Sequence, residues 1–218
     1  MIEFRTAAAR AQAYMSSGFA RDVGEILQRP RQDLLLYVKS LVDDGSVPVR
    51  TAPDTEAVAI EAARILAAVA SRQIKPASVV RVSGRICAML HQCDVGPEPA
   101  AGTPATETSS GRKDRDRTFE ADLGAALRAN YEASERATGL PPAMNVSVTW
   151  NDGGRAIYGT IDAFRGGQAV YSSIPLVGAD AFGGHFDFVQ TDAVGGSRFS
   201  ALAVVGYAEA IRDAARKD

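Results

Sequence analysis

An α+β fold is predicted by three features of the 218-residue chain. Apolar residues recur at helical spacing through residues 1–93. That periodicity is lost over 94–118. From 119 onward, alternating apolar and polar residues between glycine-rich turns mark strands flanked by two helices. The reading is an all-helical domain at 1–93, a flexible linker at 94–118, and an α+β domain at 119–218. The last domain is expected to hold a three- or four-stranded antiparallel meander and two helices.

The first zone divides into five helices. Phe4, Ala8, Ala11 and Met15 are spaced for one helical face, and Ser16-Ser17-Gly18 ends that helix. Residues 20–28 predict a short second helix with Val23, Ile26 and Leu27 inward, broken by Pro30. A third runs from Arg31 to Asp43 with Leu34, Val38, Leu41 and Val42 inward, and Gly45 stops it. Ser46–Arg50 reads as a short strand. Pro53-Asp54 opens a fourth helix, with Val58, Ala62, Ile65 and Val69 on one face. Pro76 and Ser78 open a fifth, carrying Val79, Val82, Ile86, Met89 and Leu90.

The linker (DVGPEPAAGTPATETSSGRKDRDRT) has too few apolar residues to offset the entropy of ordering. After it, Phe119, Leu123, Leu127 and Tyr131 predict an amphipathic helix that Gly139, Pro141 and Pro142 end. Asn145–Trp150, Ala156–Asp162 and Gln168–Pro175 predict the meander, turned at Asn151-Asp152-Gly153-Gly154 and Arg165-Gly166-Gly167. Residues 176–198 are glycine-rich, with a short strand expected at Phe186–Gln190. A final helix spans Phe199–Lys217, with Leu202, Val205, Ala208 and Ile211 inward.

Apolar residues make up 46% of the chain and charged residues 23%, so a core can form without metal or disulfide support. The net charge of −2 excludes a polycation. Residues 1–95 carry 12 Lys/Arg against 10 Asp/Glu, whereas residues 96–218 carry 12 against 16, so the first half is the more basic. Cys87 and Cys93 are too few for a disulfide framework. Glu3, Arg5 and Arg10 interrupt the N-terminus where a secretion signal would be apolar. No apolar run is long enough to span a bilayer. A cytoplasmic protein without membrane contact is expected.

Residues 19–50, FARDVGEILQRPRQDLLLYVKSLVDDGSVPVR, resemble the winged helix–turn–helix superfamily, common among small transcriptional regulators. Val23 and Leu27 stand in the first helix of the unit; Leu34, Val38 and Leu41 continue the shared core in the second. Val42-Asp43-Asp44-Gly45-Ser46-Val47 resembles the exit into a wing. The resemblance implies a regulator that binds double-stranded DNA. Arg29 and Arg31 would hold phosphates at the turn. Gln32 would reach base edges, Lys39 would face outward on the same helix, and Arg50 would contact the backbone from the wing. It also implies that the helices over 55–92 could pair two subunits as a homodimer. The α+β part would then sense a ligand or partner.

The chain departs from the pattern where Gln28 replaces a frequent glycine and Arg29 an apolar residue. Asp33, Leu35, Leu36 and Tyr37 lie on the helix that would read DNA. A protein-interaction adaptor, of phage or mobile-element origin, is the alternative, with Leu35, Leu36 and Tyr37 as its apolar anchor.

A small enzyme in residues 119–218 is a further alternative, with His185 and Asp187 near Tyr158, Ser172 and Ser173. No nucleophile elbow, phosphate-binding loop or dinucleotide fingerprint is present, and no catalytic residue is assigned. Cys87, His91 and Cys93 cluster, but their spacing fits no standard zinc knuckle, so no metal or cofactor is expected. Trp150, Tyr158, Tyr171, Phe186 and Phe188 are read as core or cross-strand residues.

Overall fold

The computed structural model describes residues 3–95, 117–136, 144–151, 157–163, 167–173 and 193–217. Helices α1 (Ala7–Tyr14), α2 (Ser17–Leu27), α3 (Arg31–Asp44), α4 (Asp54–Ser71) and α5 (Pro76–Cys87) come first. Then follow β1 (Leu90–Val95), α6 (Phe119–Arg136), β2 (Met144–Asn151), β3 (Ile157–Ala163), β4 (Gln168–Ser172), β5 (Ala193–Phe199) and α7 (Ala201–Ala215). The fold is α+β, as the sequence predicts. The strands form one antiparallel sheet in the order β1-β4-β3-β2-β5, with the expected meander at its centre.

α4 lies at the middle of the core. Its expected single face is an underestimate, since residues from Ala57 to Ser71 are buried almost all round. Alanines at seven of those positions let neighbouring helices approach closely. α6 places Phe119, Leu123, Leu127 and Tyr131 in the core, as the spacing predicts. α7 adds Val204, Tyr207, Ala208 and Ile211, and the Tyr207 hydroxyl donates to the Ala62 carbonyl at 2.7 Å.

The sheet buries one face against the helices. Pairing aligns His91, Tyr171, Gly159, Val148 and Ser197 as one row across all five strands. Gly159 is the close-approach point of that row. A Cβ there would meet the Met89 methyl at 2.6 Å and the Phe119 ring at 3.0 Å.

The two folded segments separated in the sequence reading share one hydrophobic cluster. β1, from the first, pairs with β4, from the second. The chain ends also meet: the Arg5 amide donates to the Ala215 carbonyl at 2.8 Å, and the Lys217 amide to that of Glu3 at 2.9 Å. Residues 96–116 of the expected linker lie outside the described residues, as does the expected strand at 186–190.

Several local expectations are corrected. In α1 the inward residues are Arg10, Ala11 and Tyr14, while Ala8 and Met15 are exposed. Arg10 turns inward because Glu61 meets it there. Ser46–Arg50 forms no strand. Instead Val47 and Val49 are buried around a cis Val47–Pro48 bond, and the Val49 amide donates to Glu61 at 2.8 Å. The fifth helix stops at Cys87, and Leu90 begins an edge strand whose His91 amide donates to the Arg117 carbonyl at 3.0 Å. Phe199 belongs to β5, so the last helix starts at Ala201 behind the Ser200 cap. Leu202 faces outward, 83% exposed, and Val205 is half-buried; the inward face runs through Val204, Tyr207, Ala208 and Ile211.

Candidate functional site

α2 and α3 are joined by a three-residue turn, Gln28-Arg29-Pro30. Val23, Leu27, Leu34, Val38 and Leu41 are all buried in the hydrophobic core. The turn reverses because Gln28 adopts a left-handed backbone, φ 53° and ψ 50°. This is the position at which the resemblance leads one to expect glycine. The Arg29 amide then closes on the Gly24 carbonyl at 2.8 Å. Gly45, at φ +81°, ends α3 as predicted.

The structure brings some of the sequence-derived site residues together and separates others. Arg31, Gln32 and Lys39 are exposed on α3, and Arg31 and Lys39 form no ion pair among the described residues. Asp33 is half-buried in the first turn, and Asp43 and Asp44 are exposed at the far end, so α3 mixes both charges at its start and is acidic at its finish. Arg50 is exposed too, but it is the last residue of the tethered 46–50 bend, which forms no strand. Of the apolar set, Tyr37 is only 4% exposed, and burial followed by the nearby Asp33 charge pushes its hydroxyl pKa up. Leu35 packs partly on the core and Leu36 is half-buried.

Arg29 points into the molecule. Its guanidinium donates to Ser197 Oγ on β5 at 3.2 Å, while its Nε is buried without a hydrogen-bond partner. Arg72, immediately after α4, donates from Nε to the same oxygen at 3.1 Å. It too has a left-handed backbone, φ 51°. Ser197 in turn donates to the Ala70 carbonyl at 3.0 Å. Burial, then the Arg72 charge, lowers the pKa of Arg29.

A second charged cluster is closed. Arg10 is 1% exposed and Glu61 0%. Arg10 donates from Nε and an η nitrogen to both Glu61 oxygens at 3.0–3.2 Å. Its remaining donors meet the Arg5 carbonyl, Asp54 and the Val49 carbonyl at 2.9–3.1 Å. Tyr14 donates its hydroxyl to Glu61 at 2.9 Å. Burial, then the Glu61 charge, raises the Tyr14 pKa well above its usual value. With every charged donor and acceptor engaged, this cluster has the character of a structural lock.

Of the enzyme candidates, Tyr158 and Ser172 are cross-strand partners on β3 and β4. Cys87 is buried and burial pushes its thiol pKa far up, with the Glu120 charge adding to the effect. His91 stacks edge-on against Tyr171, with ring centroids 5.6 Å apart. The Cys93 side chain lies outside the described residues, and among these no three His, Cys, Asp or Glu side chains group as metal ligands. His185, Asp187, Phe186 and Phe188 also lie outside them. The buried Tyr171 donates to Asp122 at 2.7 Å, and Ser173 Oγ accepts from the Ile157 amide at 3.0 Å.

Sequence reasoning missed Arg72, Ser197, Arg10 and Glu61. Glu61 carried a signal, as a lone carboxylate within the apolar run AVAIEAARILAAVA. Arg72 and Ser197 carried none, since each acquires meaning only from contacts across the fold. No family model, curated protein or solved structure matches this chain. No helix among the described residues is long and apolar enough to cross a membrane.

Proposed function

We propose that the protein is a regulatory protein that binds double-stranded DNA through the start of α3. The observation that carries this reading is the α2–turn–α3 unit. Its five apolar positions are buried in the core, and its second helix leaves Arg31, Gln32 and Lys39 exposed, with neither cation in an ion pair among the described residues. A helix N-terminus also carries partial positive charge, which favours phosphate near Arg31. Asp43 and Asp44 repel phosphate, so only the stretch of α3 from Arg31 to Lys39 would approach the duplex, with Asp33 turned from the phosphates. Arg50 would add a backbone contact from the 46–50 bend. In a homodimer, α5 rather than the enclosed α4 would offer the pairing face.

The test is fluorescence anisotropy of the full-length protein with duplex DNA, from about 50 to about 200 mM salt. Affinity should fall steeply with salt. Arg31→Ala and Lys39→Ala should each weaken binding and reduce the log–log salt slope by about one. Binding that is absent at low salt, or untouched by both substitutions, overturns the proposal.

A further inference from the structure

We propose that Arg29 and Arg72, converging behind the helix–turn–helix on Ser197 of β5, form a binding site for the phosphoryl group of a small molecule. The inference does not rest on DNA binding, because neither Arg72 nor Ser197 lies on α3.

Two guanidinium groups donate to one hydroxyl oxygen, at 3.2 and 3.1 Å. That oxygen is neutral, and it already donates its own proton to the Ala70 carbonyl. Two like charges therefore share an acceptor that neutralises neither. No carboxylate forms an ion pair with either arginine among the described residues. Asp33 influences Arg29 only through space and is the weakest influence on it. Repulsion from Arg72 is instead the second cause, after burial, of the lowered Arg29 pKa. The two helix C-termini that precede these arginines offset part of the positive charge. They leave the Arg29 Nε–H buried without an acceptor, a state that costs stability wherever nothing fills it.

The chemistry that satisfies such a pair is a tetrahedral oxyanion with several acceptor oxygens and up to two negative charges. Arginine forks bind it through paired charge-assisted hydrogen bonds. Ser197 is 3% exposed, whereas Arg72 is open to solvent. A hydroxyl this buried, with one exposed arginine beside it, suits a small anion better than the broad flank of a duplex. Gln28 and Arg198, the chain neighbours of Arg29 and Ser197, line a separate groove of about 600 Å³ between α2 and α7.

The experiment follows the arginine Nε–H resonances of the ¹⁵N-labelled full-length protein. Inorganic phosphate is titrated at constant ionic strength, with chloride as the control. The resonance missing from the Arg29→Lys variant identifies Arg29. It should move saturably with phosphate and stay still with chloride. Arg72→Gln, at a solvent-exposed side chain, should fold normally and weaken phosphate binding by about tenfold or more. An Arg29 resonance that ignores phosphate overturns the proposal, as does an unchanged phosphate affinity in Arg72→Gln. A resonance that responds to a short duplex but not to phosphate also overturns it and assigns Arg29 to the nucleic-acid face. The DNA-binding proposal is judged separately, by Arg31→Ala and Lys39→Ala.

Discussion

Replacing Glu61 by Gln keeps the side-chain volume and removes one charge from the most enclosed ion pair described. Glu61 accepts from Arg10, from the Tyr14 hydroxyl at 2.9 Å and from the Val49 amide at 2.8 Å. The glutamine amide nitrogen cannot accept, so at least one of these donors loses its acceptor. Arg10 keeps its charge and stays 1% exposed, with Asp54 as its remaining ionic partner. The Asp54 side chain is 63% exposed, so water screens what it can supply. Removing one member of a buried pair costs about 3–5 kcal/mol. Against a net stability of about 5–15 kcal/mol, that is a large share. Urea denaturation followed by far-ultraviolet circular dichroism measures the loss. The double variant Arg10→Met/Glu61→Met replaces the pair with apolar groups and should be more stable than the sum of the two single losses by about 1–3 kcal/mol. A Glu61→Gln loss below about 1 kcal/mol, or strictly additive single losses, would refute the claim that the pair locks α1 and the 46–50 bend onto α4.

Gln28→Gly should stabilise the protein by about 0.5–1 kcal/mol, because Gln28 holds a left-handed backbone that glycine adopts without penalty. A lower denaturation midpoint would contradict this. Gly159→Ala should cost about 1 kcal/mol, since the added methyl meets the Phe119 ring at 3.0 Å and displaces the end of the buried Met89 side chain. An unchanged melting temperature would show that Met89 and the Phe119 ring give way freely. In a Cys93→Ser background, Cys87 should react with iodoacetamide at pH 8 at least about tenfold more slowly in the native than in the denatured protein. The raised thiol pKa leaves almost no thiolate at that pH, and burial blocks access. Comparable rates in both states would show that α5 opens readily.

What the sequence revealed depended on whether a residue's role is local. The α2 and α3 cores, and the four inward positions of α6, follow from 3.6-residue periodicity and emerged at their predicted places. So did the meander, whose strands alternate. β1 was hidden because LHQCDV places polar residues on an edge strand, where only one neighbour must be satisfied. β5 was hidden because AVGGSRF reads as a turn. Gly195 is in fact a strand residue pressed against the Trp150 ring, where a Cβ would lie 2.6 Å from Nε1. Arg10 defeated the rule that charges face water, because its partner lies 51 positions away. The Arg29–Arg72–Ser197 cluster was illegible for the same reason on a larger scale, since its members are brought together only by the docking of β5 beside α4.

That docking makes the C-terminal part integral to the helical part. Truncation at residue 95 tests it. The cut removes Phe119, Leu123, Leu127 and Tyr131 of α6, and Val204, Tyr207 and Ile211 of α7, from the core they share with α4. Each large apolar side chain contributes roughly 1.5–3 kcal/mol on burial, so the sum matches or exceeds a typical net stability of about 5–15 kcal/mol. α4 would expose an alanine-rich flank, and Ala62 would lose the Tyr207 hydroxyl from its carbonyl. The fragment 3–95 should therefore show no cooperative thermal transition and poor proton chemical-shift dispersion. Adding residues 117–217 in trans should restore both, because the interface is a core rather than a covalent hinge. A fragment that melts cooperatively on its own would mean that α1 to α5 carry their own core, and that β5 merely rests on the turn.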